Sequence, residues 1–146
     1  MRAVIQRVTQ ASVCVDGKTI GQIEHGILAY IGLGHDDSLE TAKKLVDKIL
    51  TYRIFANAED KLDKNVQEVG GGLLLVSQFT LMANTRKGRR PDFAPAMSPS
   101  EAEALFAELV TYAKTQYTQV ATGEFGANMQ VSAINDGPIN FLLEVE

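Results

Sequence analysis

The chain has 146 residues, a formal net charge of −4 at pH 7 and one cysteine. This length suits one domain, residues 1–146, which buries about two-thirds of its unfolded surface without a disulfide or metal staple. The acidic balance gives no general attraction to polyanions, so any contact with nucleic acid must be local. No segment reaches the ~18 apolar residues of a membrane span, and the first residues do not resemble a signal peptide. We therefore expect a soluble, cytoplasmic protein with no membrane partner.

The pattern of apolar residues predicts an N-terminal hairpin followed by a buried strand. β-branched residues between Val4 and Val15 favour extended structure, and Asp16-Gly17 is typical of a tight turn before Thr19–Ile23. Ile27–Leu33 is a short apolar run and predicts the buried strand.

Two amphipathic helices are predicted further along the chain. Apolar residues between Leu39 and Leu50 fall on one helical face. Ser98-Pro99-Ser100-Glu101 has the pattern of a capping box with proline at the first helical position, and the helix continues over 102–113.

Three more strands complete the pattern. Leu73–Val76 follows three consecutive glycines and is continuously apolar, which predicts a strand covered on both faces. Met129–Ile134 and Ile139–Val145 are strand-like and lie on either side of Gly137-Pro138. Together with the helices, these elements predict a mixed α/β fold.

Ser77-Gln78-Phe79-Thr80-Leu81 places polar side chains at the end of a buried strand. Ser77 and Thr80 offer hydroxyls, Gln78 offers an amide donor and acceptor, and Phe79 offers an aromatic face. If the strand continued, Gln78 and Thr80 would share one face and the other three residues would share the opposite face. The segment is a candidate site, although a strand end facing solvent would give the same pattern.

Gly137-Pro138 is a second candidate, because proline has no N–H and glycine has no Cβ. Backbone carbonyls at such a step are free to face a ligand. A third candidate is a basic cluster that holds four of the 14 basic residues within five positions: Arg86, Lys87, Arg89 and Arg90. It can bind phosphate through charge-assisted hydrogen bonds, or it can be a solvated surface loop.

Several common chemistries lack the residues they need. Cys14, His25 and His35 are too dispersed for a zinc site, and neither metal nor cofactor is expected. A Ser-His-Asp arrangement stays open because either histidine could fold against Ser77, but the usual G-x-S-x-G turn is absent. Neither a GK[ST] phosphate loop nor a G-x-G-x-x-G run is present.

The chain as a whole resembles the bacterial-type D-aminoacyl-tRNA deacylases. The resemblance covers nearly the whole chain and rests on the order and spacing of five segments, which are Met1–Val8, Val76–Leu81, Thr85–Pro91, Phe125–Met129 and Asn135–Pro138. It implies a single-domain deacylase fold with a barrel-like β core. It also implies a homodimeric hydrolase that acts on D-aminoacyl-tRNA, without a cofactor and without DNA as a partner.

The resemblance assigns the Gly137-Pro138 step to chiral proofreading. With a cis peptide bond, the step would reach into the partner subunit's pocket beside Ser77–Thr80. Its carbonyls would receive the α-amino group of the D-aminoacyl ester, while the pocket walls leave an L side chain no room. Arg7 would hold the Gly-Pro segment, unless it is an exposed charge at a strand edge.

The resemblance also implies roles around the ester. Backbone N–H groups of Phe79 and Thr80 would stabilise the oxyanion, and Thr80 could position water. The 2′-hydroxyl of the terminal ribose would assist, so that side-chain catalysis is minor. Gln78 would lie near the ligand, and Phe125 near the adenine with Met129 in the same binding region. The four basic residues at 86–90 would contact phosphates of the acceptor stem.

Some questions stay open at the level of sequence. Asn140 stands where the family usually has threonine; asparagine also donates and accepts hydrogen bonds, but it is bulkier. The preferred D-amino acids and tRNAs, and cleavage of glycine mischarged on tRNA(Ala), do not follow from the residues. Two other functions fit parts of the chain. One is a non-catalytic RNA-binding module that uses Phe125 and the basic cluster, and the other is an esterase with Ser77 as nucleophile.

Overall fold

The computed structural model describes all 146 residues. It consists of a six-stranded sheet, a two-stranded sheet, two α-helices and one 3₁₀ helix at Phe79–Met82. No helix combines the length and the apolar character needed to cross a bilayer. In chain order the elements are β1 (Arg2–Val15), β2 (Lys18–Ile23), β3 (Gly26–Gly32), α1 (Leu39–Thr51), β4 (Phe55–Ala56), β5 (Leu62–Lys64), β6 (Gly72–Ser77), α2 (Pro99–Gln116), β7 (Val120–Thr122) and β8 (Gln130–Glu144).

The long strand β1 organises the main sheet. On one side its N-terminal half pairs with β3 and its C-terminal half with β2, and on the other side it pairs with β8, all antiparallel. β6 lies parallel to β3, and β7 lies parallel to β6. Gly21 of β2 comes back against the backbone of Thr122 of β7, so the sheet is nearly closed on itself. The predicted mixed α/β fold with a barrel-like core and two main helices is confirmed.

The core has two parts, one on each face of the sheet. A cluster of 23 buried residues joins α1 and α2 to the outer face, and a cluster of six fills the inside of the curled sheet. Leu73 and Leu75 of β6 belong to the larger cluster, whereas Leu74 and Val76 belong to the smaller one. β6 is therefore buried on both faces, as its continuous apolar run predicts.

β3 and β6 approach each other closely where both begin. Gly26 has a φ of +155°, which L side chains rarely adopt, and it pairs with Gly72. A Cβ built on Gly26 would lie 2.6 Å from the Gly72 nitrogen and closer still to the Gly72 carbonyl oxygen. Two glycines at this place allow the parallel pair to start in register.

The two helices begin in different ways. Ser38 caps α1 reciprocally, since Thr41 N donates to Ser38 Oγ at 3.4 Å and Ser38 N donates to Thr41 Oγ1 at 3.2 Å. Pro99 is the first residue of α2, as predicted, but the capping box predicted at Ser98 is wrong. Ser98 Oγ donates to Glu101 Oε2 at 2.7 Å instead of binding the backbone, because the two exposed side chains satisfy each other.

Candidate active site

A cavity of about 650 Å³ opens where β3 and β6 end. Tyr30 and Ile31 from β3 and Val76 and Ser77 from β6 form one wall. Thirteen of the eighteen lining residues are hydrophobic, which is typical of a ligand site that surrounds a few polar groups with apolar walls. The opposite wall is held in place by a hydrogen bond of 3.0 Å from Met97 N to the Leu33 carbonyl.

The segment after β6 is not the strand end that the sequence predicts. β6 ends at Ser77, and the chain turns at once into the 3₁₀ helix. Gln78 N still donates to the Ile31 carbonyl at 2.7 Å, but Leu81 N donates back to the Gln78 carbonyl at 3.2 Å. The predicted alternation of faces over 77–81 is therefore wrong, because a helical turn replaces the period of two with a period of three.

The turn places polar groups at the rim of the cavity. Ser77, Gln78 and Phe79 line the cavity, whereas Thr80 does not. Gln78 Nε2 nevertheless donates to Thr80 Oγ1, so the amide orients the hydroxyl. Phe79 and Thr80 are the first two residues of the 3₁₀ helix, and their N–H groups have no acceptor within it. The rim thus presents backbone donors next to an oriented hydroxyl.

Phe125 and Met129 line the same cavity. Phe125 is half-buried and packs against Phe106, with ring centroids 6.2 Å apart and ring planes inclined by 43°. Tyr30 also lines the cavity, and burial raises the pKa of its phenol. The Tyr30 phenol therefore stays protonated at neutral pH and cannot serve as a general base there.

Gly137-Pro138 lies in a bulge of β8. Asn135 pairs with Val8 and Asn140 pairs with Gln6, so residues 136–139 stand opposite Arg7 alone. The Gly137-Pro138 peptide bond is cis, and both residues are exposed. The predicted strands on either side of this step are thus two halves of one element that pairs with β1 before and after the bulge.

The Arg7 side chain forms the base of this bulge. Its Nη1 donates to the Ile54 carbonyl at 3.0 Å, and its Nε lies 3.2 Å from Asp136 Oδ2 in an ion pair without hydrogen-bond geometry. A Cβ on Gly137 would lie 3.4 Å from Arg7 Nη2. The side chain is only 14% exposed, so Arg7 is not an exposed charge at a strand edge.

One chain does not bring the two parts of the predicted site together. Gly137, Pro138 and Arg7 do not line the cavity. Along β3, Arg7 is level with Ile27 whereas Ser77 is level with Ile31. These positions are four residues apart, or about 13 Å in an extended strand.

The predicted basic cluster is an exposed loop beside the cavity. It follows the 3₁₀ helix and is closed by an antiparallel bridge between Asn84 and Asp92, where Asn84 N donates to the Asp92 carbonyl at 2.8 Å. The four basic side chains make no ion pair and no hydrogen bond within the chain. They are therefore free to bind an anionic partner.

Neither histidine is placed to activate Ser77. His25 Nε2 bonds to the Val69 carbonyl at 3.1 Å, and His35 Nε2 bonds to the Ala94 carbonyl. Neither ring lines the cavity. The Ser-His-Asp arrangement that the sequence left open is therefore not formed.

Comparison with known proteins adds the family. The profile of the family described as D-Tyr-tRNA(Tyr) deacylase matches residues 4–144. This chain belongs to that family. It is 69% identical to the D-aminoacyl-tRNA deacylase of Psychrobacter arcticus, over 99% of each chain. It is 58% identical to the enzyme of the same name from Acinetobacter baumannii strain AYE, over 100% of this chain and 99% of that one. The family predicted from the sequence, and with it the class of enzyme, is confirmed.

Two solved structures superpose on this chain over almost its whole length. The c-Myc DNA Unwinding Element Binding Protein superposes with a TM-score of 0.96 at 38% identity, over 100% of this chain and 99% of that one. A probable eukaryotic D-amino acid tRNA deacylase superposes with a TM-score of 0.87 over 99% of this chain and 98% of that one. At 17% identity, the second match shows a shared fold alone.

Three residues around the site of this deacylase-family chain were not predicted from the sequence as site residues. Asn135 Nδ2 donates to the Arg7 carbonyl at 2.9 Å and to the Ile139 carbonyl at 3.4 Å, and so ties the two ends of the bulge. Phe93 and Tyr30 line the cavity. Phe93 could have been predicted, because an aromatic residue just after a basic run is typical of nucleic-acid contacts. Tyr30 could not, because nothing in the strand pattern distinguishes it from a core residue.

Proposed function

We propose that this chain hydrolyses the ester that joins a D-amino acid to the terminal adenosine of tRNA and releases the free D-amino acid and tRNA. The observation that carries the proposal is the apolar cavity with the N–H groups of Phe79 and Thr80 at its rim. Water adds to the ester carbonyl, and the resulting oxyanion needs donors that are already in place. Departure of the ribose oxygen then completes the hydrolysis. The relatives named D-aminoacyl-tRNA deacylase support this choice of substrate.

We propose that no side chain acts as the essential base. Both histidines bond to backbone carbonyls away from the cavity, and the Thr80 hydroxyl is held by Gln78. The 2′-hydroxyl next to the ester is the remaining group that can assist the transfer of a proton. Thr80→Ala should keep most of the activity under this mechanism. A loss of several orders of magnitude in kcat would instead give the Thr80 hydroxyl an essential chemical role.

The chiral filter would be built across a homodimer. Gly137 and Pro138 are exposed, stand apart from the cavity of their own chain, and are held from behind by Arg7 and Asn135. A projecting segment of this kind is suited to enter the cavity of a second copy. Its carbonyls would bind the α-amino group of the ester and leave no space for an L side chain.

The same filter predicts cleavage of glycyl-tRNA, including glycine mischarged on tRNA(Ala). Glycine has no side chain to meet the wall that excludes L-amino acids. Hydrolysis of glycyl-tRNA at a rate near that of a D-aminoacyl-tRNA would support a filter that works by exclusion. Resistance of glycyl-tRNA would require a contact with the D side chain.

Binding of the tRNA body would depend on the basic loop. Arg86, Lys87, Arg89 and Arg90 are exposed and carry no partner within an otherwise acidic chain. They would neutralise phosphates of the acceptor stem and orient the 3′ end toward the cavity. Because this substrate is made for translation, the enzyme would act in the cytoplasm.

The first test compares D-tyrosyl-tRNA with L-tyrosyl-tRNA, using the chain as it stands and a variant that lacks Gly137 and Pro138. Rapid release of D-tyrosine alone, abolished in the deletion variant, is the expected result. If both esters survive while tRNA still binds, the hydrolase proposal fails and the RNA-binding module becomes the leading alternative.

A second test asks which subunit supplies the Gly-Pro step. Ala127 lines the cavity, so Ala127→Trp should block the cavity, whereas the Gly137-Pro138 deletion leaves it intact. Each variant alone should be inactive. After the subunits are mixed and exchanged, about one quarter of wild-type activity should return, because half of the dimers are mixed and each has one complete site of two. No recovery after confirmed exchange would contradict the cross-subunit arrangement.

A further inference from the structure

Two exposed aromatic rings lie together at the mouth of the cavity. Phe79 is 58% exposed and Phe93 is 40% exposed, and both line the cavity. Their ring centroids are 5.0 Å apart with the planes inclined by 54°. Large apolar side chains this exposed at a cavity mouth suit contact with a ligand. Phe125 differs, because it is half-buried and packs against Phe106.

The rings and the basic loop form one continuous unit. The bridge between Asn84 and Asp92 closes the loop, and Phe93 follows directly. Asp92 Oδ1 accepts a hydrogen bond of 3.0 Å from Ala94 N, which fixes the backbone around the Phe93 ring. A strand of RNA whose phosphates are bound by the loop would pass these two rings on a direct path to the cavity, because Phe93 joins the loop and lines the cavity.

We propose that Phe79 and Phe93 form a stacking platform for the unpaired base that precedes the terminal adenosine of the substrate. This inference rests on the function proposed above and extends its site by one nucleotide. Aromatic rings beside cationic side chains are the usual means of holding single-stranded RNA, because every base has a π-face. The platform would hold the 3′ strand straight as the ester enters the cavity.

The decisive comparison uses Phe93, since its ring packs against Phe79 and its backbone is not among the proposed oxyanion donors. Three D-tyrosyl esters are compared: full-length tRNA, the same tRNA with an abasic residue before the terminal adenosine, and the single nucleoside D-tyrosyl-adenosine. Phe93→Leu keeps an apolar side chain without the ring, and Phe93→Tyr keeps the ring. Stacking on one aromatic side chain is worth roughly a factor of ten in binding.

The expected result is specific to the base. Phe93→Leu should lower kcat/KM on full-length tRNA about ten-fold, and Phe93→Tyr should leave it nearly unchanged. On the abasic tRNA and on D-tyrosyl-adenosine, Phe93→Leu should match the wild-type protein, because neither substrate carries the base. Removing the base and removing the ring should then cost no more together than either costs alone.

Two results would overturn the platform. If Phe93→Leu lowers kcat/KM equally on all three substrates, Phe93 would instead contact the partner subunit or support the fold of the loop. No loss on any substrate would leave the ring without a role in binding. If the wild-type protein cleaves none of the esters, the deacylase proposal fails by itself. Binding of uncharged tRNA with and without the base, by wild-type and Phe93→Leu protein, then decides the platform.

Discussion

At the scale of single residues, the Gly-Pro bulge depends on two side chains that approach it from the sheet. Arg7 supports it from below through Asp136, and Asn135 bridges its two ends. The resemblance to the deacylases already implies a supporting role for Arg7. The role of Asn135 follows only from the structure. Its side chain joins the Arg7 carbonyl of β1 to the carbonyl of Ile139, which lies four positions after Asn135 in β8.

Asn135→Ala should loosen the bulge. Two hydrogen bonds to backbone carbonyls are lost, so the free energy of unfolding should fall by about 1–2 kcal/mol. Deacylation of D-tyrosyl-tRNA should fall as well, because the carbonyls of the step are no longer held. Asn140→Ala is the matched control, since Asn140 is exposed and its side chain makes no hydrogen bond within the chain. Equal effects of the two substitutions would contradict the bridging role of Asn135.

Tyr117 should make the free energy of unfolding fall as the pH rises into the alkaline range. Its hydroxyl donates to the Gly71 carbonyl, and burial raises the pKa of the phenol. Its contribution is therefore complete below the ordinary tyrosine pKa of about 10 and is lost as pH rises above that value. Tyr117→Phe should cost about 1 kcal/mol at pH 7 and lose less stability than the wild-type protein between pH 9 and 11. Urea titrations at a fixed protein concentration measure the free energy of unfolding of both proteins at each pH. If the two proteins lose the same free energy between pH 9 and 11, Tyr117 is not the group responsible.

At the scale of elements, the sequence predicts regular strands and helices well because burial of one face or of both faces leaves a recognisable apolar pattern. β6 is recognisable from a short apolar run, and α1 from residues that recur at helical spacing. Competition between local hydrogen bonds is harder to foresee. The segment after Ser77 exchanges a strand for a 3₁₀ helix, and Ser98 binds Glu101 instead of the α2 backbone.

The start of the parallel pair β3 and β6 should tolerate no side chain at Gly26. Gly26→Ala adds a Cβ within 2.6 Å of the Gly72 nitrogen at a φ of +155°, so we expect a loss of about 3 kcal/mol or more in the free energy of unfolding. Gly17→Ala is the control. Gly17 also has a positive φ, of +77°, but nothing lies within 4 Å of its Cβ position, so the cost should be about 1–2 kcal/mol. Similar midpoints for the two variants in urea would contradict the close-approach argument.

At the scale of the whole molecule, the candidate site draws on segments that sequence order keeps far apart. The cavity brings Ser77, Phe93 and Phe125 together, and the bulge at Gly137 stands away from them. The residue types in these segments indicate a site made of amides, hydroxyls and backbone groups. Their mutual placement depends on how the sheet curls, which a single sequence does not specify.

The charge on the molecule predicts how binding should respond to salt. Arg86→Gln combined with Lys87→Gln should make the slope of log K against log salt for tRNA shallower by about 1 to 2, because two phosphate contacts are lost. Lys61→Gln combined with Lys64→Gln changes the net charge equally at exposed positions near β5. This control should leave the slope unchanged. Equal changes in both double variants would show that net charge, and not the basic loop, governs binding.

The bulge in β8 has a further consequence for how the chain can change. β8 pairs with β1 before Asp136 and again after Ile139, so the register of each half is set independently of the residues between them. We expect that lengthening or shortening the bulge would shift neither ladder. Segments of other lengths and chemistries could therefore be grafted between Asn135 and Asn140 while the sheet keeps its pairing. This part of the chain combines a specialised local conformation with freedom for evolution, or for design, to give the same scaffold a different selectivity.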